Sequence, residues 1–127
     1  MGKSLIDIAK EVIQTESDSV LLLKDRIDQN FIDVCHTLKS CMGKVVLIGM
    51  GKSGHIAKKI SSTLASTGTP AFYLHPGEAG HGDLGMVSHD DVVIMISYSG
   101  ESDEIIALLP GCLLYTSDAA DDSLRVD

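Results

Sequence analysis

Tryptophan is absent from this chain, and only three tyrosines and two phenylalanines supply aromatic surface. Stacking on nucleic-acid bases therefore has little to work with. Basic runs are also missing. Ten Lys and Arg face eighteen Asp and Glu, for a net charge of −8. General nucleic-acid and anionic-membrane binding are disfavoured, and an anionic ligand needs local donors instead. No apolar run approaches the length of a membrane span. The opening MGKSLIDIAKEVIQ has scattered charges and no apolar core, so it does not read as a signal peptide. Position 6 is Ile6 rather than Ser or Thr, so its Met-Gly start is not a myristoylation signal. The three cysteines, Cys35, Cys41 and Cys112, show no metal-finger spacing and read as reduced thiols of a cytoplasmic protein.

What is present is an ordinary globular balance: 44% hydrophobic and 22% charged residues in 127, enough for one domain with a core. Residues 3–41 contain neither glycine nor proline, and apolar positions recur near a 3.6 period from Leu5 to Leu38. The pattern predicts two helices with a break between Asp25 and Asn30, an amphipathic pair suited to covering a sheet or meeting a partner subunit. The period then changes. Lys44 to Ile48 is a β-branched run ending in glycines, a buried strand. His55 to Ser66 returns to helical spacing, stopped by Gly68 and Pro70. Ala71–Leu74 and Val92–Ile96 read as further strands, Pro76 to Gly85 as a loop with a helical turn, and Asp103 to Leu109 as the start of a helix. This alternation belongs to a parallel α/β sheet with both faces covered.

The stretch VVLIGMGKSGH, residues 45–55, carries two phosphate signatures. A P-loop would need glycine where Val46 stands, inside the strand, so that reading fails. Gly49-x-Gly51-x-x-Gly54 has dinucleotide spacing, but the second strand ends Phe72-Tyr73-Leu74-His75 without the acidic residue that would hold a ribose. The physics outlasts both motifs. Glycines after a strand admit backbone N–H groups to an anion, and Ser53 and Lys52 add a hydroxyl and a cation. Taken alone, GKSG is as well explained by a tight turn, a helix cap and a solvated lysine. A second loop shifts the balance: the third strand ends Ser97-Tyr98-Ser99-Gly100-Glu101-Ser102, and a turn capped by Ser102 or Asp103 explains one serine but not three. Adjacent strand ends of an open sheet form one crevice.

GMGKSGHIAKK, STLASTGTPAFYLHPGEAGHGDLGM and ISYSGESDEI together resemble the bacterial arabinose-5-phosphate isomerases built on the sugar isomerase (SIS) domain. The likeness runs from the N-terminal helices to Pro110. It implies a three-layer α/β sandwich with a parallel sheet. It implies interconversion of D-arabinose 5-phosphate and D-ribulose 5-phosphate, in supply of Kdo for lipopolysaccharide or capsule. It further implies that Ser97, Ser99 and Ser102, with Gly51 and Ser53, bind the substrate phosphate, and that Lys52, Glu104 and His81 serve catalysis. No cofactor or required metal follows from it, and a homo-oligomer of the full-length parent does. Enediol chemistry, which needs a base and a stabilised oxyanion, suits a carboxylate and an ammonium. Without the resemblance, Glu104 would read as a solvated carboxylate at a helix start. The alternative function is a non-catalytic SIS module that binds a sugar phosphate for regulation.

Other polar residues carry weaker signals. His75, Glu78, His81 and Asp83 are metal-binding types without ligand spacing, and flanking glycines suggest a mobile lid. Met50, Met86 and Met95 read as packing residues, and His36 and His89 as surface or core filling. After Pro110 the likeness stops. The segment from Cys112 to Asp121 resembles a conceptual translation of the transposase end used in sequencing libraries. Residues 111–127 hold four aspartates and one arginine, about −3 of the net charge. The expected organisation is a helical segment 1–43, a truncated SIS-type domain 44–110, and a non-native tail 111–127 that packs poorly and leaves the fragment inert on its own.

Overall fold

The computed structural model of the chain describes residues 2–115. They form two compact units, dividing between Cys35 and His36. In the first unit, α1 (Leu5–Leu22) starts at Ser4, whose hydroxyl accepts from the Asp7 N–H at 3.1 Å, a side-chain N-cap. A 3₁₀ turn, Leu23–Arg26, ends it, and α2 (Gln29–Ser40) follows, its residues from His36 onward belonging to the second unit. The break falls where the periodicity placed it. No residue of α1 is buried, and Leu5, Ile6 and Ile13 are more than two-thirds exposed at 85%, 68% and 69%.

The second unit is a parallel three-stranded sheet with helices on both faces, as expected. β1 (Val45–Gly49) lies between β2 (Ala71–Leu74) and β3 (Val92–Ile96), giving the order β2-β1-β3. All five β1 residues are buried, which is why this strand reads as an uninterrupted apolar run. Side chains alternate across the sheet. Val46 and Ile48 pack with Leu74, Ala79, Val87, Ile105, Leu108 and Cys112 on one face. Val45 and Leu47 pack with Ala57 and Leu64 of α3 (Gly51–Ser66) on the other. Leu38, from the last turn of α2, joins this second cluster. The helical segment expected to end at residue 43 thus already contributes to the sheet's core before that point.

The first face is covered by short pieces: α4 (Pro76–Gly80), a 3₁₀ turn (Asp83–Met86), α5 (Asp103–Ile106) and α6 (Leu109–Tyr115). Two differences from expectation stand out. Met95 packs against the core, whereas Met86 is 56% exposed. Helix α6 continues past Pro110, and Cys112 is buried in the first cluster, so the expected poor packing beyond residue 110 does not hold there. Cys112 stands four residues after Leu108, one helical turn on, so the two side chains share a face. The rest of the expected tail, residues 116–127, lies outside the described residues.

At the opposite end of the sheet from the glycine loop, Asp91 is buried. Its carboxylate accepts from the Lys44 N–H at 2.7 Å and the Ser88 N–H at 2.8 Å, tying the starts of β1 and β3 together. Burial would raise its pKa, but those hydrogen bonds to the charged form outweigh burial and hold the carboxyl below the ordinary aspartate range.

Candidate functional site

The three strands end level. Ile48 is paired with Leu74, and Gly49 with Ile96. The segments after β1 and β3 therefore leave the same edge of the sheet side by side, the place where open parallel sheets bind ligands. After β1, Met50 takes an extended conformation and Gly51 a left-handed one at φ 54°, and the chain turns directly into α3. Met50 is the N-cap residue, and its side chain is half-buried. The first intrahelical bond runs from the Gly54 N–H to the Met50 carbonyl at 3.1 Å. The amides of Gly51, Lys52 and Ser53 thus belong to the first turn, where helices leave donors without intrahelical acceptors. Ser53 is inside the helix rather than at its cap.

The loop after β3 turns on Gly100, also left-handed at φ 68°. Ser97 Oγ accepts from the Gly100 N–H at 3.1 Å, and Ser99 Oγ accepts from the Glu101 N–H at 3.1 Å. The Ser97 and Ser102 hydroxyls are 2.9 Å apart. All three serines thus take part in the loop's own hydrogen bonds. Ser102 is the N-cap of α5 by backbone alone. Its carbonyl accepts from Ile105 and Ile106, while its hydroxyl turns back to Ser97 instead of capping the helix.

Lys52, His81 and Glu104 are all exposed. Among the described residues, no hydrogen bond or ion pair engages their side chains or joins them to one another. Ala79 of α4 and Ile105 of α5 lie in one apolar cluster, so the helix ending before His81 and the helix carrying Glu104 sit on the same face of the sheet. Gly51, Lys52, Ser53, Ser97, Ser99 and Ser102 share the strand-end edge.

The metal-type residues are arranged differently. His75 Nδ1 accepts from the Gly77 N–H at 3.0 Å and caps α4, which engages its lone pair there. Among the described residues, no three His, Cys, Asp or Glu side chains come together in a manner able to hold a metal ion. The stretch from Pro76 to Gly85, expected as a loop with one turn, lies within two short helical turns, Pro76–Gly80 and Asp83–Met86.

Two polar residues escaped the sequence reading. One is Asp91, described above. The other is Tyr73 of β2, whose hydroxyl donates to the Gly49 carbonyl at 2.7 Å. The available signal was a hydroxylated aromatic in an otherwise apolar strand beside a glycine-ended one.

A parallel sheet covered on both faces, with a glycine turn and a serine turn at adjacent strand ends, defines an open-sheet α/β domain. The family model described as SIS domain matches residues 38–114, and the chain belongs to that family. It is 58% identical over 101 residues to the arabinose 5-phosphate isomerase KdsD of Escherichia coli K12, covering 80% of this chain and 31% of that protein. It is 54% identical over 109 residues to KdsD of Yersinia pestis, covering 86% of this chain and 33% of that one. The chain thus spans about a third of the length of the curated relatives it matches. Among solved structures it is similar to Escherichia coli CFT073 c3406 in complex with arabinose 5-phosphate. That match has TM-score 0.79 and 41% identity, over 98% of this chain and 74% of that one. It is also similar to a Bacteroides fragilis phosphosugar isomerase described as involved in capsule formation. There the TM-score is 0.79 at 34% identity, over 86% of this chain and 58% of the other. Among the described residues, no helix is long and apolar enough to cross a membrane.

Proposed function

We propose that this chain is the sugar-phosphate-binding part of an aldose–ketose isomerase acting on D-arabinose 5-phosphate and D-ribulose 5-phosphate. The observation that carries the reading is the arrival of Gly51, Lys52 and Ser53 beside Ser97, Ser99 and Ser102 at one strand-end edge. Fixed N–H donors, hydroxyls and an ammonium suit a phosphate dianion. The identity to KdsD and the arabinose 5-phosphate bound to the Escherichia coli CFT073 neighbour support the choice of sugar phosphate.

In this reading, the serine loop and the first turn of α3 hold the phosphate. Glu104 removes the proton from C2 of the aldose, the hydroxyl proton passes from the C2 oxygen to the C1 oxygen through the enediol, and the carbon proton returns at C1, leaving a ketone at C2 and a hydroxyl at C1. Lys52 stabilises the negative charge that develops on oxygen, and His81 contacts the sugar. Solvent-exposed side chains at the ends of rigid elements leave room for a substrate to engage them. A second copy of the chain covers the apolar row of α1, where Leu5 and Ile13 stand exposed. A cytoplasmic setting fits three cysteines that form no disulfide.

The test joins residues 1–110 to the remaining two-thirds of the Escherichia coli K12 relative and assays arabinose 5-phosphate conversion, beside the chain itself. Turnover by the chimera supports the reading. A chimera that folds and binds the sugar phosphate without turnover favours a regulatory module instead.

A further inference from the structure

Tyr73 ties three elements together at one point. It sits on β2 opposite Leu47 of β1 and packs on the face that α3 covers. Its hydroxyl donates to the Gly49 carbonyl at 2.7 Å, and Lys58 Nζ of α3 stands 5.0 Å from its ring centroid, within cation–π range. Gly54 fits into the same corner. A Cβ there would lie 2.6 Å from Gly49 O and 2.9 Å from the Tyr73 hydroxyl. The first turn of α3 is thus seated directly on the end of β1, with the phenol locking the seat.

The bonded carbonyl matters because of what shares its plane. The Gly49–Met50 peptide is trans, so the Met50 N–H lies on the edge opposite the Gly49 oxygen. Fixing that oxygen fixes the direction of the first donor in the glycine loop. Burial raises the Tyr73 pKa, which keeps the phenol a neutral donor.

We propose that Tyr73 is a positioning residue for the anion-binding loop: by holding the Gly49 carbonyl it orients the 49–50 peptide and the first turn of α3 toward a bound phosphate. This rests on the sugar-phosphate reading above. Phenylalanine at this position would keep the ring and its Lys58 contact and lose only the donor.

The experiment uses the 127-residue chain, with Tyr73→Phe as the variant and Lys58→Ala as the control that keeps the hydroxyl. Amide hydrogen exchange is read by NMR across residues 49–54, and D-arabinose 5-phosphate is titrated against each protein. In Tyr73→Phe, exchange at Gly54, whose N–H the Met50 carbonyl holds, rises and affinity falls, each by about three- to tenfold. The Lys44 and Ser88 amides held by Asp91 keep their wild-type exchange, a separation that a general loss of stability would not give. Lys58→Ala behaves as wild type in both readouts. Wild-type loop exchange in Tyr73→Phe overturns the proposal, as does faster exchange with unchanged affinity. A wild-type chain that binds no sugar phosphate overturns the proposed function and takes the ligand role of Tyr73 with it, while the exchange data still decide whether the phenol holds the loop.

Discussion

The hydroxyl oxygens of Ser97 and Ser102 lie 2.9 Å apart, across a turn in which Ser97 also accepts from the Gly100 N–H. One side chain thus fixes both shoulders of the loop that ends β3. Replacing Ser97 and Ser99 by alanine removes one half-buried and one exposed hydroxyl and touches no residue of either apolar cluster. Sugar-phosphate binding should weaken by roughly 1.5–3 kcal/mol for each hydrogen bond to the charged group. Calorimetric titration with ribulose 5-phosphate reads this directly, and unchanged affinity in the double variant would remove the serine loop from the site.

Lys52 and Glu104 stand exposed at loop-to-helix junctions. Lys52→Ala and Glu104→Gln should therefore change stability by no more than about 0.5 kcal/mol. In the chimera, turnover should fall by roughly 10²–10⁴-fold for Glu104→Gln if its carboxylate is the base. Denaturant midpoints and turnover measured on the same preparations separate the two effects. Wild-type turnover in Glu104→Gln would exclude that carboxylate from the proton transfer.

Asp91 predicts a pH dependence. Its carboxyl is held below the ordinary aspartate range by hydrogen bonds from Lys44 and Ser88 that outweigh its burial. A lowered folded-state pKa adds stability that is fully present above the unfolded value and is lost as pH falls through the folded one. Asp91→Asn can accept from one of the two N–H groups but turns an NH₂ toward the other. It should cost about 1.5–3 kcal/mol at neutral pH, and the difference from wild type should shrink in acid. Urea midpoints of both proteins across that range measure it. A constant gap at every pH would contradict the assignment.

The parts of this molecule legible in sequence are those set by local pattern. Val45 to Ile48 is apolar at every position because β1 is covered on both faces, and Gly49 and Gly51 mark where it must turn. The pairing of the two loops was legible as well, since parallel strands deliver their ends to one edge. What was missed depends on register between distant segments. Tyr73 reaches Gly49 across 24 residues, and nothing in AFYLHP says which carbonyl its hydroxyl meets. Asp91 follows Asp90 in what reads as a polar turn, yet only Asp91 is buried. Cys112 lies past Pro110, where the resemblance was expected to end, yet the family model runs to residue 114 and the thiol packs in the core.

The central claim is that residues 49–55 and 97–102 together bind the phosphate of a five-carbon sugar phosphate. The most direct measurement is an NMR titration of the chain with D-arabinose 5-phosphate beside unphosphorylated D-arabinose. The account predicts saturable shifts at the amides of Gly51, Lys52, Ser53, Ser99 and Gly100 with the phosphate ester and none with the free sugar. Equal shifts with both sugars, or shifts confined to one loop, would contradict it.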